Sequence, residues 1–284
     1  MFPGQGAQHP GMGAALFAKY PDFIANANEV LGFDVAELCK GEDNRLHATE
    51  YTQPALFLAN HLHWIERLDR GDQLPAYMLG HSLGQYNALV AAGLLKFDDA
   101  IVLVRERGRL MSKYARGGMV AVMKLDLEDL QLLLAEHPLG TQVDIANINS
   151  SQQCVIAAKL EVLDEISAPL QAAGAFLVPL KVSGAFHSRL TTAAADAFAP
   201  ALECLNSHSS QVQVICNVTA TPFVPAEMKT RLREHIVMPV QWRASIEYLL
   251  SAGVTDFQEL GVGKTLSGLQ RYIVKHWNSQ QEMT

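Results

Sequence analysis

The sequence has few cysteines, no long apolar run and fewer basic than acidic residues. Its four cysteines (Cys39, Cys154, Cys204 and Cys216) are far apart, with no CxxC pair and no histidine at metal-ligand spacing. This pattern excludes a cysteine-built metal module, so we expect four reduced core thiols and no bound metal. No stretch approaches the roughly 18 consecutive apolar residues of a membrane span. The N-terminus lacks the basic and apolar regions of a signal peptide, so we expect a cytoplasmic protein.

Acidic residues outnumber basic ones, 29 to 22, which gives a formal net charge of −7. A negative chain is poorly suited to general nucleic-acid binding, although a local basic patch is compatible with it. With 49% hydrophobic and 18% charged residues, the composition is that of a globular protein. A length of 284 residues fits one large domain or a domain with an insert.

One short stretch, Leu79–Gly93 (LGHSLGQYNALVAAG), places Ser82 between two glycines. We predict a short buried strand at residues 75–79 and a helix at 85–95, which is the context of a nucleophile elbow. In an elbow the glycines permit a sharp turn, and the N–H of Leu83 points to where an oxyanion would form. Ser82 is therefore a candidate nucleophile. A glycine-flanked helix cap is the alternative, because serine also favours that position.

Residues 118–183 show a compact alternation of strands and helices. Strands are predicted at 118–124, at 143–158 as two strands around a turn, and at 176–182, with helices at 127–136 and 160–174. The order β-α-β-β-α-β is that of the ferredoxin-like unit. We expect a small domain of residues 118–183, inserted into a larger α/β domain formed by residues 1–117 and 184–284.

A serine nucleophile needs a base, and the sequence offers ten histidines. His187, in the stretch VSGAFHSR, directly follows a predicted strand and precedes a helix, a loop position where catalytic groups concentrate. His81 precedes the serine, but the geometry of an elbow turns its side chain away, so we assign it a supporting role. The other histidines lie in predicted helices or in surface and turn segments.

Arg107 lies on the apolar face of a predicted helix. The helix that follows Asp98 and Asp99 buries residues at i, i+3 and i+4 spacing, and Arg107 falls on that stripe. Because a buried charge is costly without a partner, a carboxylate should neutralise it. That carboxylate belongs either to the protein or to a ligand, and a snorkelling side chain is a third reading.

Two further motifs lack the surroundings that their usual functions require. Residues 261–265 (GVGKT) resemble the end of a phosphate-binding loop, but Gln258 stands where that motif requires glycine. Asn217-Val-Thr219 fits the glycosylation pattern, but a cytoplasmic chain does not meet the glycosylation machinery. We assign no function to either motif.

Seven separate motifs follow one another in a characteristic order. They are Phe2-Pro-Gly-Gln-Gly6, Gln53-Pro-Ala55, Gly80-His-Ser-Leu-Gly84, Arg107-Gly108, Phe186-His187, Pro239-Val-Gln-Trp242 and Glu259-Leu-Gly-Val-Gly263. In this order, over nearly the whole chain, they resemble the malonyl-CoA:acyl carrier protein transacylases. The stretches GHSLGQYNALVAAG and VSGAFHS are most similar to free-standing acyltransferases that serve polyketide synthases in trans.

The resemblance implies an α/β-hydrolase-like large domain, a ferredoxin-like small domain and an active site between them. Ser82 is then the nucleophile and His187 the base, and the backbone N–H groups of Gln5 and Leu83 form the oxyanion hole. In this family a backbone carbonyl orients the histidine, at the position that matches His235. A Ser-His dyad therefore suffices without an acidic residue.

The resemblance also implies the substrate site. Arg107 matches the arginine that binds the malonyl carboxylate in a charge-assisted pair, which supplies the partner that periodicity alone leaves open. Phe186 matches the bulky residue that limits room for an α-methyl branch, and His81 supports the substrate site.

The implied reaction moves a malonyl group from malonyl-CoA to the phosphopantetheine thiol of an acyl carrier protein by a ping-pong cycle. It needs no bound cofactor, and the expected partner of this monomer is the carrier protein, without nucleic acid or membrane. One alternative is an editing hydrolase that removes stalled acyl chains from carrier proteins. Another is an inactive module that only docks a carrier protein.

Three positions depart from the family pattern. Gln85 stands where the family usually has glutamate, and His235 stands where it usually has glutamine. The family also carries an apolar strand before FPGQG, whereas Phe2 here follows Met1 directly, so we expect an upstream start or a very short first strand. For the carrier protein or the CoA phosphates, the candidate basic residues are Arg105, Arg109, Lys113, Arg189, Arg243 and Lys275.

Overall fold

A computed structural model describes residues 1–42, 44–114 and 116–282. The helices are α1 (Ala14–Lys19), α2 (Pro21–Leu31), α3 (Val35–Lys40), α4 (Thr49–Asp69), α5 (Gly84–Ala91), α6 (Phe97–Tyr114), α7 (Leu127–Glu136), α8 (Leu160–Ala172), α9 (Thr192–Glu203), α10 (Met228–Val237), α11 (Trp242–Ser251) and α12 (Thr265–Gln281). The strands are β1 (Tyr77–Met78), β2 (Gly118–Met123), β3 (Asp144–Ser150), β4 (Gln153–Ala158), β5 (Phe176–Pro179) and β6 (Gln213–Val214).

A short parallel pair, β1 and β6, lies in the larger part of the chain. Phe2 extends it through a parallel bridge to Gly80, where the Phe2 N–H donates to the Leu79 carbonyl at 2.9 Å and the His81 N–H to the Phe2 carbonyl at 3.0 Å. The segment around Phe2 is therefore fixed against the strand that leads to Ser82. Its pairing is much shorter than an ordinary strand.

The second sheet is antiparallel, with the strand order β3-β4-β2-β5. One face packs with α7 and α8 around a separate hydrophobic cluster that includes Val122, Ile156 and Leu170. On the outer edge, β3 bonds to the main body, since the Ile148 N–H donates to the Val240 carbonyl and the Val240 N–H to the Ala146 carbonyl, both at 2.9 Å. Backbone hydrogen bonds thus fix this sheet against the segment before α11.

The helix α6 buries the stripe that its sequence predicts. Acidic residues occupy its first turn, where they complement the helix dipole. Leu103, Val104 and Met111 are at most 3% exposed, and Arg107 is 1% exposed on the same face. The main hydrophobic cluster includes residues of α4 and α6, so Arg107 enters the interior of the larger part of the chain.

One local prediction was wrong, and one helical segment is interrupted. The segment of residues 14–31 forms two helices that divide at Tyr20, because Pro21 disfavours helical dihedrals in the residue before it. The four predicted core thiols are three: all four cysteines are free, but Cys204 is exposed because it lies just after the end of α9.

Within the described residues, no helix is both long and apolar enough to span a membrane. The same residues contain no group of three or more histidine, cysteine or acidic side chains arranged to hold a metal ion.

Candidate active site

Ser82 lies on a sharp turn between β1 and α5, with the left-handed φ of 50°. Such a backbone costs a non-glycine residue about 1–3 kcal/mol, so the surroundings must impose it. A Cβ on Gly80 would lie 1.9 Å from the Gly84 carbonyl oxygen, and one on Gly84 would lie 2.1 Å from the Phe2 carbonyl oxygen. Both glycines are therefore required by close backbone approach, which is what the elbow motif predicts.

Asn217 holds this turn from the far side. Its Oδ1 accepts from the Ser82 N–H at 2.8 Å, and its Nδ2 donates to the Gly80 carbonyl at 2.8 Å. The side chain is fully buried. Sequence reasoning missed this residue, since the only signal at Asn217 was an irrelevant glycosylation pattern.

His187 meets the serine from the loop between β5 and α9. Its Nε2 lies 2.7 Å from Ser82 Oγ, and the ring is 3% exposed. Burial, and after it the nearby charges of Arg107 and His81, lowers the pKa of His187 to about 3. The imidazole is therefore neutral at pH 7 and able to accept the serine proton.

The other nitrogen of the His187 ring, Nδ1, lies on the side of the end of α10. This nitrogen makes no hydrogen bond of ordinary geometry, yet the backbone carbonyls of His235 and Met238 act on the ring and raise its pKa. The rings of His187 and His235 lie 5.1 Å apart. The residue expected to orient the base through its backbone thus lies beside it.

Arg107 reaches Ser82 from α6. Its Nη1 donates to Gln53 Oε1 at 2.7 Å and its Nη2 to Ser82 Oγ at 3.2 Å, while the buried Nε has no partner among the described residues. The guanidinium lies 5.7 Å from the centre of the Tyr86 ring, and burial lowers its pKa. No described carboxylate pairs with Arg107, so the alternative of an ion pair within the protein is not found among the described residues.

The two predicted oxyanion donors lie on adjoining segments. A Cβ on Gly4 would lie 3.6 Å from the Leu83 backbone nitrogen, so the loop that carries Gln5 packs on the elbow. Among the described residues, no acceptor is found for either the Gln5 or the Leu83 N–H. The Gln5 side chain donates to Thr49 Oγ1 at 3.1 Å, which fixes the loop against the start of α4.

The two remaining predicted substrate residues occupy different environments. His81 turns toward the second sheet, where its Nε2 lies 2.9 Å from Asn149 Oδ1, and its ring lies 5.4 Å from that of Trp242. Burial lowers the pKa of His81. Phe186 is 5% exposed and belongs to the main hydrophobic cluster, directly before His187.

The departures at Gln85 and His235 are in contact with each other. Gln85 Nε2 lies 3.1 Å from His235 Nδ1, and Gln85 Oε1 accepts from the Asn217 N–H at 2.6 Å. Both side chains are fully buried. Two sequence differences that are 150 residues apart therefore form one hydrogen bond.

Most of the basic residues proposed for a carrier or CoA surface already have partners in the protein. Arg109 pairs with Glu106 at 2.6 Å, Arg189 with Asp144 at 2.7 Å and Arg243 with Glu247 at 2.7 Å, and Arg105 donates to the Val30 carbonyl. Within the described part of the chain, Lys113 and Lys275 form no ion pair. Such surface pairs do not prevent a contact, but they weaken the prediction of a dedicated patch.

In the described part of the chain, a neutral imidazole lies beside a serine hydroxyl, two N–H groups have no acceptor, and a buried cation has no counter-ion. These features together suit acyl transfer through the serine. Residues 1–260 match the family model described as the acyl transferase domain. The chain belongs to this family.

Relatives within the acyl transferase family cover most of the chain. It is 38% identical over 288 residues to PksC of Bacillus subtilis, a polyketide biosynthesis malonyl CoA-acyl carrier protein transacylase, covering 97% of this chain and 96% of PksC. It is 42% identical over 276 residues to the polyketide biosynthesis protein ThaF of Burkholderia thailandensis, covering 96% of this chain but only 24% of ThaF.

A solved structure of the same family contains a carrier protein. It is a type II polyketide synthase acyl-carrier protein in complex with its malonyl-transacylase, and the match has a TM-score of 0.90 at 36% identity. The match covers 96% of this chain and 92% of the matched chain. The mixed α/β fold of this chain is therefore that of malonyl transacylases.

Proposed function

We propose that the chain transfers a malonyl group from malonyl-CoA to the phosphopantetheine thiol of an acyl carrier protein, in polyketide or fatty acid biosynthesis. The observation that carries this proposal is Arg107, whose buried guanidinium has no described counter-ion and lies 3.2 Å from Ser82 Oγ. A cation beside the nucleophile suits an acyl group that ends in a carboxylate. A hydrolase of neutral acyl chains gains nothing from a buried charge at this place.

In the first half-reaction, Ser82 Oγ attacks the thioester carbon while His187 Nε2 takes its proton. The Gln5 and Leu83 N–H groups donate to the oxyanion of the tetrahedral intermediate. The C–S bond then breaks, and CoA leaves as a thiol with the proton from His187. The product of this half is a malonyl ester on Ser82.

In the second half-reaction, the phosphopantetheine thiol gives its proton to His187 and its sulfur attacks the ester carbon. The C–O bond breaks, and Ser82 Oγ recovers the proton from His187. The same base and the same oxyanion donors serve both halves, so no acidic third residue and no cofactor are required.

The acyl site of this proposal lies between Arg107 and Phe186. Arg107 binds the carboxylate through Nη2 and Nε, which releases Ser82 Oγ from the guanidinium. Phe186 restricts an α-methyl branch, and its burial in the main hydrophobic cluster supports a fixed ring. His81 supports the site from the elbow.

The proposed architecture is an α/β-hydrolase-like large domain of residues 1–117 and 184–284 with a ferredoxin-like small domain of residues 118–183. The strand order β3-β4-β2-β5 and a separate hydrophobic cluster support the small domain. The elbow at the end of β1 supports the large one. A cytoplasmic monomer that meets a carrier protein completes the proposal.

The experiment incubates the protein with malonyl-CoA, acetyl-CoA and methylmalonyl-CoA, and then with a carrier protein that bears phosphopantetheine. Mass spectrometry should find malonyl on Ser82 and then on the carrier, with methylmalonyl loaded more slowly. The Ser82→Ala variant is the control for the site. Rapid release of free malonate without carrier indicates an editing hydrolase, and no mass increase at Ser82 indicates a docking module.

A further inference from the structure

Gln85, Asn217 and His235 join the nucleophile to the base through a closed chain of contacts, here named the support ring. The Ser82 N–H donates to Asn217 Oδ1 at 2.8 Å, and the Asn217 N–H donates to Gln85 Oε1 at 2.6 Å. Gln85 Nε2 then meets His235 Nδ1 at 3.1 Å. The His235 ring lies 5.1 Å from the ring of His187, whose Nε2 lies 2.7 Å from Ser82 Oγ.

We propose that Gln85 and Asn217 are positioning residues for the Ser82 and His187 pair, and that the amide of Gln85 keeps the neighbouring His235 neutral. This inference rests on the proposed role of Ser82 and His187 as nucleophile and base. None of the three residues of the support ring touches the reacting atoms with its side chain. They act through the backbone of Ser82 and the environment of His187.

Asn217 suits this role because all four of its polar groups have a partner. Its side chain bonds to the Ser82 N–H and the Gly80 carbonyl, its backbone N–H to Gln85, and its carbonyl accepts from the Gln241 N–H at 2.8 Å. Because it occupies the Ser82 N–H, the donor left at the elbow for an oxyanion is the N–H of Leu83. A short side chain thus fixes both the strained turn and the direction of its free donor.

The orientation of the Gln85 amide follows from its neighbours. The Asn217 N–H is a donor, so the atom that faces it is the amide oxygen. The NH₂ group therefore faces His235 Nδ1, which must accept. A neutral His235 then carries its proton on Nε2, and protonation at Nδ1 would set two donors against each other.

Neutrality of His235 matters because the reaction needs a positive charge on its neighbour. His187 becomes imidazolium when it takes the serine proton, and the two rings are 5.1 Å apart. Burial lowers the pKa of His235, and the charged and titratable groups that face it, His187, Arg107 and His81, each lower it further. A second positive charge at His235 would oppose formation of the imidazolium.

The test uses a fluorophosphonate probe, which reports on Ser82 whatever acyl group the enzyme accepts. Ser82 Oγ attacks phosphorus, fluoride leaves, and His187 takes the hydroxyl proton. The labelling rate is measured from pH 5 to 9 for the wild type, Asn217→Ala, Gln85→Glu and the double variant Gln85→Glu/His235→Gln. Asn28→Ala is the matched control, because Asn28 also accepts a backbone N–H, that of Val35 at 3.0 Å, far along the chain from Ser82.

Asn217→Ala should lower the labelling rate by about 100-fold, the scale of a misplaced reacting group, while Asn28→Ala stays within about twofold of the wild type. Gln85→Glu should slow labelling by about tenfold at pH 5 and recover as the pH rises, because the new carboxylate favours a protonated His235. In the double variant the introduced glutamine donates to that carboxylate, so the rate should return to within about threefold and the pH dependence should disappear.

The inference is overturned if Asn217→Ala and Gln85→Glu label as fast as Asn28→Ala, or if the double variant is as slow and as pH-dependent as Gln85→Glu. Thermal unfolding identifies a variant that does not fold, and the Gln85 pair then decides the outcome. If labelling follows the support ring but malonyl-CoA does not load Ser82, the proposed function fails and the inference stands.

Discussion

The Ser82 elbow and the His187 loop place a non-glycine residue in the same unusual conformation by different means. The φ angles are 50° at Ser82 and 54° at His187. The elbow depends on glycines two residues away on either side, which permit contacts that a Cβ would block. The His187 loop depends on hydroxyl groups: Ser188 Oγ donates to the Ala185 carbonyl at 2.6 Å, and Thr191 Oγ1 donates to the Ile236 carbonyl at 2.8 Å.

This difference explains why the two halves of the site differ in how well they can be found. The Ser82 turn needs glycines close by in the chain, so it can be recognised as a sequence motif. The His187 turn depends on a contact with α10, so its only sequence signal is a histidine after a predicted strand. The comparison also predicts that acyl transfer needs both the Ser82 elbow and the His187 loop. Different kinds of substitution should destabilise the two turns.

The largest effect is expected from the two side chains that are proposed to react. Ser82→Ala should abolish malonyl loading, and His187→Ala should lower its rate by about 10³–10⁴-fold, as for loss of a general base. The double variant should be no worse than Ser82→Ala, because the two groups act as a unit. Single-turnover loading followed by mass spectrometry measures this. Rapid loading by His187→Ala would contradict the proposal that Ser82 and His187 act together. The control is His63→Ala, which removes a half-buried histidine of α4.

Arg107→Ala should come next, with an effect that depends on the substrate. Loss of a charge-assisted pair should reduce kcat/KM for malonyl-CoA by about 100-fold, while acetyl-CoA loading holds or improves. Competition between the two thioesters for loading measures the ratio. Equal losses for both substrates would show that Arg107 supports the elbow rather than the carboxylate. Arg109→Ala, which removes an exposed arginine of the same helix, is the matched control.

Substitutions that disturb one turn at a time should show how much the elbow and the loop each contribute to the free energy of unfolding. Gly80→Ala should lower the free energy of unfolding by about 1–3 kcal/mol or more, because its Cβ would overlap the Gly84 carbonyl. Thr191→Val removes the hydroxyl that bonds the Ser188 and Ile236 carbonyls and should cost about 1–2 kcal/mol. Urea denaturation measures both values.

The control for added volume is Gly268→Ala in α12. Apart from its chain neighbours and the helix backbone, no described atom lies within 4 Å of the new Cβ. It should stabilise the protein by about 1 kcal/mol through helix propensity. If Gly80→Ala were as stable as Gly268→Ala, the elbow would not depend on the close approach of its backbone.

The smallest effect is expected from pH near neutrality. Because the pKa of His187 is lowered to about 3, the base is deprotonated well above that value, and malonyl loading should vary less than about twofold between pH 6 and 8. Loading should fall as the pH approaches the pKa from above, since protonated His187 cannot accept the serine proton. Arg107→Ala removes a positive charge that lowers this pKa, so the fall should move to higher pH. A fall that stays at the same pH would contradict coupling between the two groups.

Much of the site was predictable where the signal is local. The elbow follows from GHSLG between a strand and a helix, and the burial of Arg107 follows from its place on the apolar stripe of α6. The strands and helices of residues 118–183 follow from alternating patterns. The contacts of Asn217 with Ser82 and of Gln53 with Arg107 were not predicted. A buried amide gives no periodic signal in the sequence, and its partners are distant in the chain.

The sequence by itself predicted an elbow at Ser82 and placed the Arg107 cation on an apolar helix face, because glycine sterics and helix periodicity act within a few residues. The tertiary structure decided which groups meet. It brought His187 to Ser82 across 105 residues, and it joined the two departures, Gln85 and His235, in one hydrogen bond. The physical reason is that the sequence does not show which hydrogen-bond donor pairs with which acceptor. The pairing is set when helices and strands pack, because buried polar groups must then find partners.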